Sequence, residues 1–124
     1  MAKPVRDTVQ RHAIKSAFLK ERRPLGPKEI MAVAGIEVPN LGIATVYRNI
    51  KNMVEENELE IVDIPGRPPR YCLPADKSSV LFVCEKTDHV FFMDESRVKI
   101  ELRSLPSYYT IEQTSLILYG CCQE

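Results

Sequence analysis

Val9, Ala13, Ile14, Ala17 and Phe18 recur at three- and four-residue spacing. This predicts an amphipathic helix over 8–21, with Arg11, Lys15 and Lys20 on its other face. Arg23-Pro24-Leu25-Gly26-Pro27 interrupts the pattern. A second helix is expected to follow, capped by Gly26, opened by Pro27, with Glu29 in its first turn, and ending near Ala34-Gly35. A third is predicted over about 42–56, where Ile43, Val46, Ile50, Met53 and Val54 form a buried stripe. Thr45, Arg48, Asn49 and Asn52 fall on the opposite side. Residues 58–64 and 70–73 read as short strands around Pro65-Gly66-Arg67-Pro68-Pro69, a segment that can only turn. Three helices and a two-stranded hairpin describe a winged helix-turn-helix.

Pro74-Ala75-Asp76-Lys77-Ser78 reads as a linker, which divides the chain into domains over 1–74 and 75–124. Beyond it, 80–84 and 89–93 are expected as strands joined by Lys86-Thr87-Asp88. Val98, Leu102 and Leu105 predict a short helix, and 114–119 a last strand. The fold class is α+β, a winged helix followed by a small α/β domain. About fifty residues bury little apolar surface alone, so metal, disulfides or a partner subunit usually compensate. Val80, Phe82, Phe91, Phe92, Ile117 and Tyr119 lie on short strands that would leave an open sheet edge, and dimerisation is the simplest way to cover it.

Composition narrows the setting. The chain is 44% hydrophobic, ordinary for a globular domain, and no apolar run approaches the ~20 residues of a membrane span. Met1 to Gln10 has charges but no hydrophobic stretch behind them, so no secretory signal is expected and the default address is the cytoplasm. Seventeen basic groups cancel seventeen acidic ones, which at first argues against a polyanionic partner. By region the balance differs: residues 1–53 carry ten basic and four acidic groups (+6), residues 76–124 five and eight (−3). The asymmetry joins a polyanion-facing part to a part with another task.

A helix entering the major groove needs small or polar residues near its start and donors that reach base edges. Gly42-Ile43-Ala44-Thr45-Val46-Tyr47-Arg48-Asn49-Ile50 meets that description. Ala44 and Thr45 permit close approach, and Thr45 can also donate to a phosphate. Arg48 offers a fork for guanine, and Asn49 an amide for adenine. Glu55, Glu56 and Glu58 come only at the far end.

The same nine residues resemble the recognition-helix signature of the ferric uptake regulator (Fur) family. Supporting matches are Thr8-Val9-Gln10-Arg11, Arg23-Pro24-Leu25 through Glu29-Ile30, Pro65-Gly66 with Arg70-Tyr71, and Ser115 through Gly120. The resemblance implies a bacterial transcription regulator, a homodimer on double-stranded DNA with a winged helix and an α/β dimerisation domain. It also implies base contacts from Tyr47 and Arg48 and a minor-groove contact from Arg6, ahead of the first helix. Helical projection alone puts Tyr47 at the margin of the buried stripe; the resemblance moves its ring toward a thymine methyl. Arg67 and Arg70 are wing candidates for phosphate contact.

The family's metal ligands are where the likeness fails. The stretch Ala75 to Val80 has no histidine where the family clusters them. The glutamate expected near Phe92 is missing, and Thr114 and the Pro24 region stand where further histidines are expected. His12 and His89 are the two histidines of the sequence. Of the paired Cys-x-x-Cys zinc ligands, Cys84 is followed by Thr87 at the second position. Cys122 is followed only by Gln123-Glu124. A tetrahedral site of four thiolates cannot form, so no metal site is assigned. Cys84, Cys121, Cys122 and His89 could make only a makeshift zinc site or act as redox thiols, and nothing near Cys121-Cys122 in sequence lowers a thiol pKa.

The expected function is therefore a Fur-type regulator that binds an inverted-repeat operator as a homodimer without the family's metal sensing. The competing reading is a winged-helix protein–protein module that has lost DNA binding. An enzyme is not expected: Cys84 and His89 lack a readable third group or oxyanion feature.

Overall fold

The structure, a computed structural model, describes residues 5–123, with side chains from residue 8 onward. It divides into two compact units, Met1–Asp76 and Lys77–Glu124. The division falls two residues beyond the 74/75 boundary expected from sequence. Pro74–Asp76 forms a 3-10 turn, closed by the Asp76 amide on the Leu73 carbonyl (3.0 Å), that finishes unit 1.

Unit 1 contains α1 (Val5–Glu21), α2 (Pro27–Ala34), α3 (Ile43–Glu55), β1 (Glu60–Val62) and β2 (Arg70–Cys72). α1 begins earlier than predicted and ends where Arg22 turns left-handed, at φ 52°. Its buried side is Ala13, Ile14, Ala17 and Phe18, whereas Val9 is exposed, a correction to the predicted stripe. α2 starts as expected, with Pro27 at its first position and the Glu29 carboxylate accepting from the Gly26 amide at 3.2 Å. This satisfies one orphan donor of the helix start. α3 buries Val46, Ile50 and Met53. These pack with Leu25, Ile30, Leu41, Leu59 and the α1 face in one core.

β1 and β2 form the predicted antiparallel hairpin, Ile61 opposite Tyr71. Its connection has a type II turn: the Arg67 amide donates to the Ile64 carbonyl (3.1 Å) across Pro65 and Gly66, whose φ is +75°. Pro at the second and Gly at the third turn position are what that geometry requires. Leu25 and Tyr71 exchange both backbone hydrogen bonds at 2.9 Å. The hairpin is thereby stitched to the segment between α1 and α2.

Unit 2 is a three-stranded sheet in the order β4-β3-β5, built from β3 (Val80–Cys84), β4 (Val90–Phe92) and β5 (Leu116–Gly120). β3 is antiparallel to β4 and parallel to β5, with Cys84 opposite Gly120. Both faces of β3 are buried, through Val80, Leu81, Val83 and Cys84. The helix expected from Val98, Leu102 and Leu105 does not form. Only a 3-10 turn, Glu95–Arg97, is present, and the chain from residue 99 to 115 is exposed and irregular. A short helix needs a surface to pack on; Val98 is half-buried beside Val80 and Leu116, but Leu102 and Leu105 stay exposed.

Candidate nucleic-acid interface

α3 positions the groove-reading candidates. Successive residues turn by about 100°, so Ala44, Tyr47, Arg48 and Lys51 share the side opposite Val46, Ile50 and Met53. All four are exposed, Tyr47 by 54%. The margin position assigned to Tyr47 by projection thus resolves outward. Ile43, placed in the buried stripe by sequence, is 37% exposed at the start of the helix.

Asn49 does not face outward. It is buried, and its amide nitrogen donates to the Thr45 carbonyl at 2.9 Å, one turn back along α3. The expectation that Asn49 reads adenine is corrected: about 60° separates it from the centre of the apolar stripe, and it completes that face. Thr45 is half-buried. Lys51 was missed in the sequence, although it stands one helical turn after Tyr47 and three residues after Arg48.

An open groove of about 480 Å3 runs between α3 and the hairpin, lined by Tyr47, Ile50, Lys51, Val54, Glu55, Ile61 and Tyr71. Burial, with smaller contributions from Tyr47 and Asp63, pushes the Tyr71 phenol above its ordinary pKa. The groove therefore offers aromatic and aliphatic side chains, one cation (Lys51) and one carboxylate (Glu55).

The two wing arginines separate. Arg67 lies in the turn and is half-exposed. Arg70 is buried, its Nη1 donates to the Pro68 carbonyl at 2.7 Å, and its Nε is 3.8 Å from Glu29. Glu29 also accepts from Arg23 at 2.7 Å. Arg70 fastens the hairpin to α2, and the expected phosphate contact is corrected accordingly. Arg6 lies within α1, not ahead of it as the resemblance implied, and its side chain is outside the described residues.

The basic character of this half is also tempered. Arg11 pairs with Glu56 and, at 2.7 Å, with Glu58. Arg22 meets Asp76 at 3.1 Å. Over the whole unit, twelve basic groups face ten acidic ones, leaving +2. Arg48 and Lys51, by contrast, stand exposed on α3.

The residues expected for a makeshift metal site do not assemble into one. Among the described residues, no group of three or more His, Cys, Asp or Glu is placed to hold an ion. His89 instead sets its ring edge-on to Phe91, with centroids 6.3 Å apart. Cys84 meets the Cys122 amide. Donor hydrogen bonds, first from the Cys122 thiol and then from the Thr87 hydroxyl, outweigh burial and lower the Cys84 thiol from 9.0 to about 6.

Three helices closed by a hairpin, with a polar helix face beside the wing, define a winged-helix protein. The sequence profile of the ferric uptake regulator family matches residues 2–119, and the chain belongs to that family. Its members are dimeric, metal-responsive transcription regulators that bind DNA, not enzymes. Solved structures agree in fold. A zinc-bound manganese uptake regulator is 17% identical, covering 99% of this chain and 92% of its own, with a TM-score of 0.75. The Helicobacter pylori ferric uptake regulator Fur, described with three functional metal-binding sites, is 17% identical over 98% of this chain and 80% of its own, at 0.65. The iron-bound regulator of Francisella tularensis is 18% identical over 99% and 92%, also at 0.65. No curated protein matches the chain. Among the described residues, no helix is long and apolar enough to cross a membrane.

Proposed function

We propose that this chain is a cytoplasmic, sequence-specific transcription regulator that binds an inverted-repeat operator as a homodimer, without metal control. Unit 1 reads DNA, and unit 2 joins two copies. The observation that carries the reading is the exposed face of α3, where Ala44, Tyr47, Arg48 and Lys51 stand clear of the buried stripe. Small residues at the helix start allow the backbone to approach the bases, and Arg48 supplies the bidentate fork that guanine O6 and N7 accept. Two such helices related by a two-fold axis engage half-sites about 34–36 Å apart. Arg67 contacts phosphate from the wing, and Arg6 serves the minor groove at the chain's beginning. The revised set is therefore Arg6, Thr45, Tyr47, Arg48, Lys51 and Arg67, with Asn49 and Arg70 assigned to structure.

Metal independence rests on the donor set. Cys84 and Cys122 engage each other, His89 packs on Phe91, and no convergent third donor joins them among the described residues. A tetrahedral ion needs four such ligands.

The test begins with selection of bound genomic DNA, followed by salt-titrated shift assays on the selected site. Arg48→Ala is expected to weaken binding by ~1–3 kcal/mol and to relax discrimination at one base position. Binding should be equal in chelator and in added zinc, iron or manganese. Unchanged operator binding by Arg48→Ala would defeat the α3 assignment. Near-stoichiometric metal in the purified protein, or metal-dependent binding, would defeat the claim of metal independence.

A further inference from the structure

We propose that Cys84 and Cys122 are a reversible redox site, which a hydroperoxide converts into an intramolecular disulfide within unit 2. Cys84 ends β3 opposite Gly120 of the parallel strand β5. The Glu85 amide donates to the Gly120 carbonyl at 2.7 Å, so the two strand ends are locked together. A Cβ on Gly120 would lie 3.2 Å from the Phe82 ring. The absence of that carbon lets the Phe82 ring lie over Gly120, two residues before Cys122. Two residues on, the Cys122 amide donates to the Cys84 sulfur at 3.3 Å, and the Cys122 thiol also hydrogen-bonds that sulfur. The two sulfurs are therefore in hydrogen-bond contact, the proximity from which a disulfide of ~2.0 Å can form.

The surroundings divide the labour between the thiols. Cys84 has no exposed surface, while Cys122 is half-buried in the segment after β5. From the other side, the turn between β3 and β4 brings the Thr87 hydroxyl and amide onto the Cys84 sulfur. The Asp88 amide on the Cys84 carbonyl (2.7 Å) closes that turn. Donors from two separate segments thus hold a thiolate, the form that attacks sulfur electrophiles. Cys121, though exposed, is not among its donors.

The chemistry balances with peroxide as the oxidant. The Cys122 thiol gives its proton to solvent and its thiolate attacks one peroxide oxygen; the O–O bond breaks, the leaving oxygen takes a proton from solvent, and the products are a sulfenic acid and water or an alcohol. The Cys84 thiolate then attacks the Cys122 sulfur, the S–S bond forms, and hydroxide leaves to be protonated by solvent. Two electrons pass from the thiol pair to each peroxide. A dithiol reductant reverses the bond by exchange. The inference rests on unit 2 alone and stands apart from the DNA-binding reading.

The experiment treats the full chain, reduced and in chelator, with equimolar hydrogen peroxide, then blocks remaining thiols and maps peptides without reduction. The expected result is loss of a pair of thiols per chain and a peptide joining Cys84 to Cys122, with Cys72 and Cys121 blocked as thiols. Cys121→Ser should keep the cross-link, and Cys122→Ser should abolish it. Cys84→Ser removes a buried group, so the Cys122→Ser and Cys121→Ser pair decides if that variant misfolds. A cross-link through Cys121, a linkage between chains, or Cys122 oxidised onward to sulfinic acid without a cross-link would each overturn the proposal.

Discussion

In unit 1, Ile14, Phe18, Leu25 and Met53 are each at most 1% exposed. In unit 2, six large apolar side chains between Ile100 and Ile111 stand 44–78% exposed. The first unit wraps three helices and a hairpin around one apolar centre. The second spends its few buried positions on the central strand β3 and leaves its longest connection outside. A half that covers its own apolar surface can present a polar helix face to solvent and remain folded. A half that does not is made for association, as befits a family of dimers.

The largest effect is expected from Phe18→Ala, which empties the middle of the unit 1 core at a cost of ~3–5 kcal/mol. Denaturant titration followed by helical circular dichroism should register it. A loss below ~1 kcal/mol would mean that the helices are not held by that core. Next, Leu118→Asp on β5 should convert the dimer to monomer in sedimentation, at a cost on the order of 2 kcal/mol of association. A variant that remains dimeric would remove β5 from the interface between copies.

Arg70→Ala should cost ~1–3 kcal/mol of stability, because a buried, hydrogen-bonded guanidinium is lost, and leave the salt dependence of DNA binding unchanged. Arg67→Ala should do the reverse, lowering the salt slope by about 1. Exchange of the two outcomes would return Arg70 to the phosphate-contact role.

A pH dependence is expected from unit 2. The Cys84 pKa is depressed in the folded state to about 6 from 9.0. Its contribution to stability is therefore complete above the unfolded value and is lost as pH falls through the folded one. Reduced protein should gain stability between about pH 6 and 9, and Cys122→Ser should flatten that rise. An unchanged slope would show that the Cys122 thiol does not hold the Cys84 thiolate.

Where local pattern and packing agree, the architecture was legible in the residues. Gly26-Pro27 with Glu29 places the start of α2, Pro65-Gly66 dictates the turn of the wing, and the apolar run at 80–84 is β3 to the residue. The errors occur where the apolar face had to be known first. Asn49 shares the buried stripe by spacing, yet its polar type suggested the opposite side; a hydrogen bond to the Thr45 carbonyl makes its burial tolerable. Arg70 likewise looked like a surface charge, because its partners Glu29 and Pro68 come from other segments. Val98, Leu102 and Leu105 carry helical spacing, but only Val98 is half-buried in the unit, and Leu102 and Leu105 stay exposed. The thiol pair was obscured for a related reason: the donors around Cys84 come from Thr87 and Cys122, which only a parallel β3–β5 pairing unites.

The tip of the wing is stiff before any ligand meets it. Pro65, Pro68 and Pro69 fix three of the five backbone φ angles there, and the Ile64–Arg67 hydrogen bond holds the turn closed. Such a segment has few conformations to surrender even in isolation. An arm stiffened in advance loses little disorder when it settles on a ligand. The attraction exerted by Arg67 is thus spent almost wholly on contact, and a floppy glycine-serine replacement of equal length would weaken binding without removing a single charge.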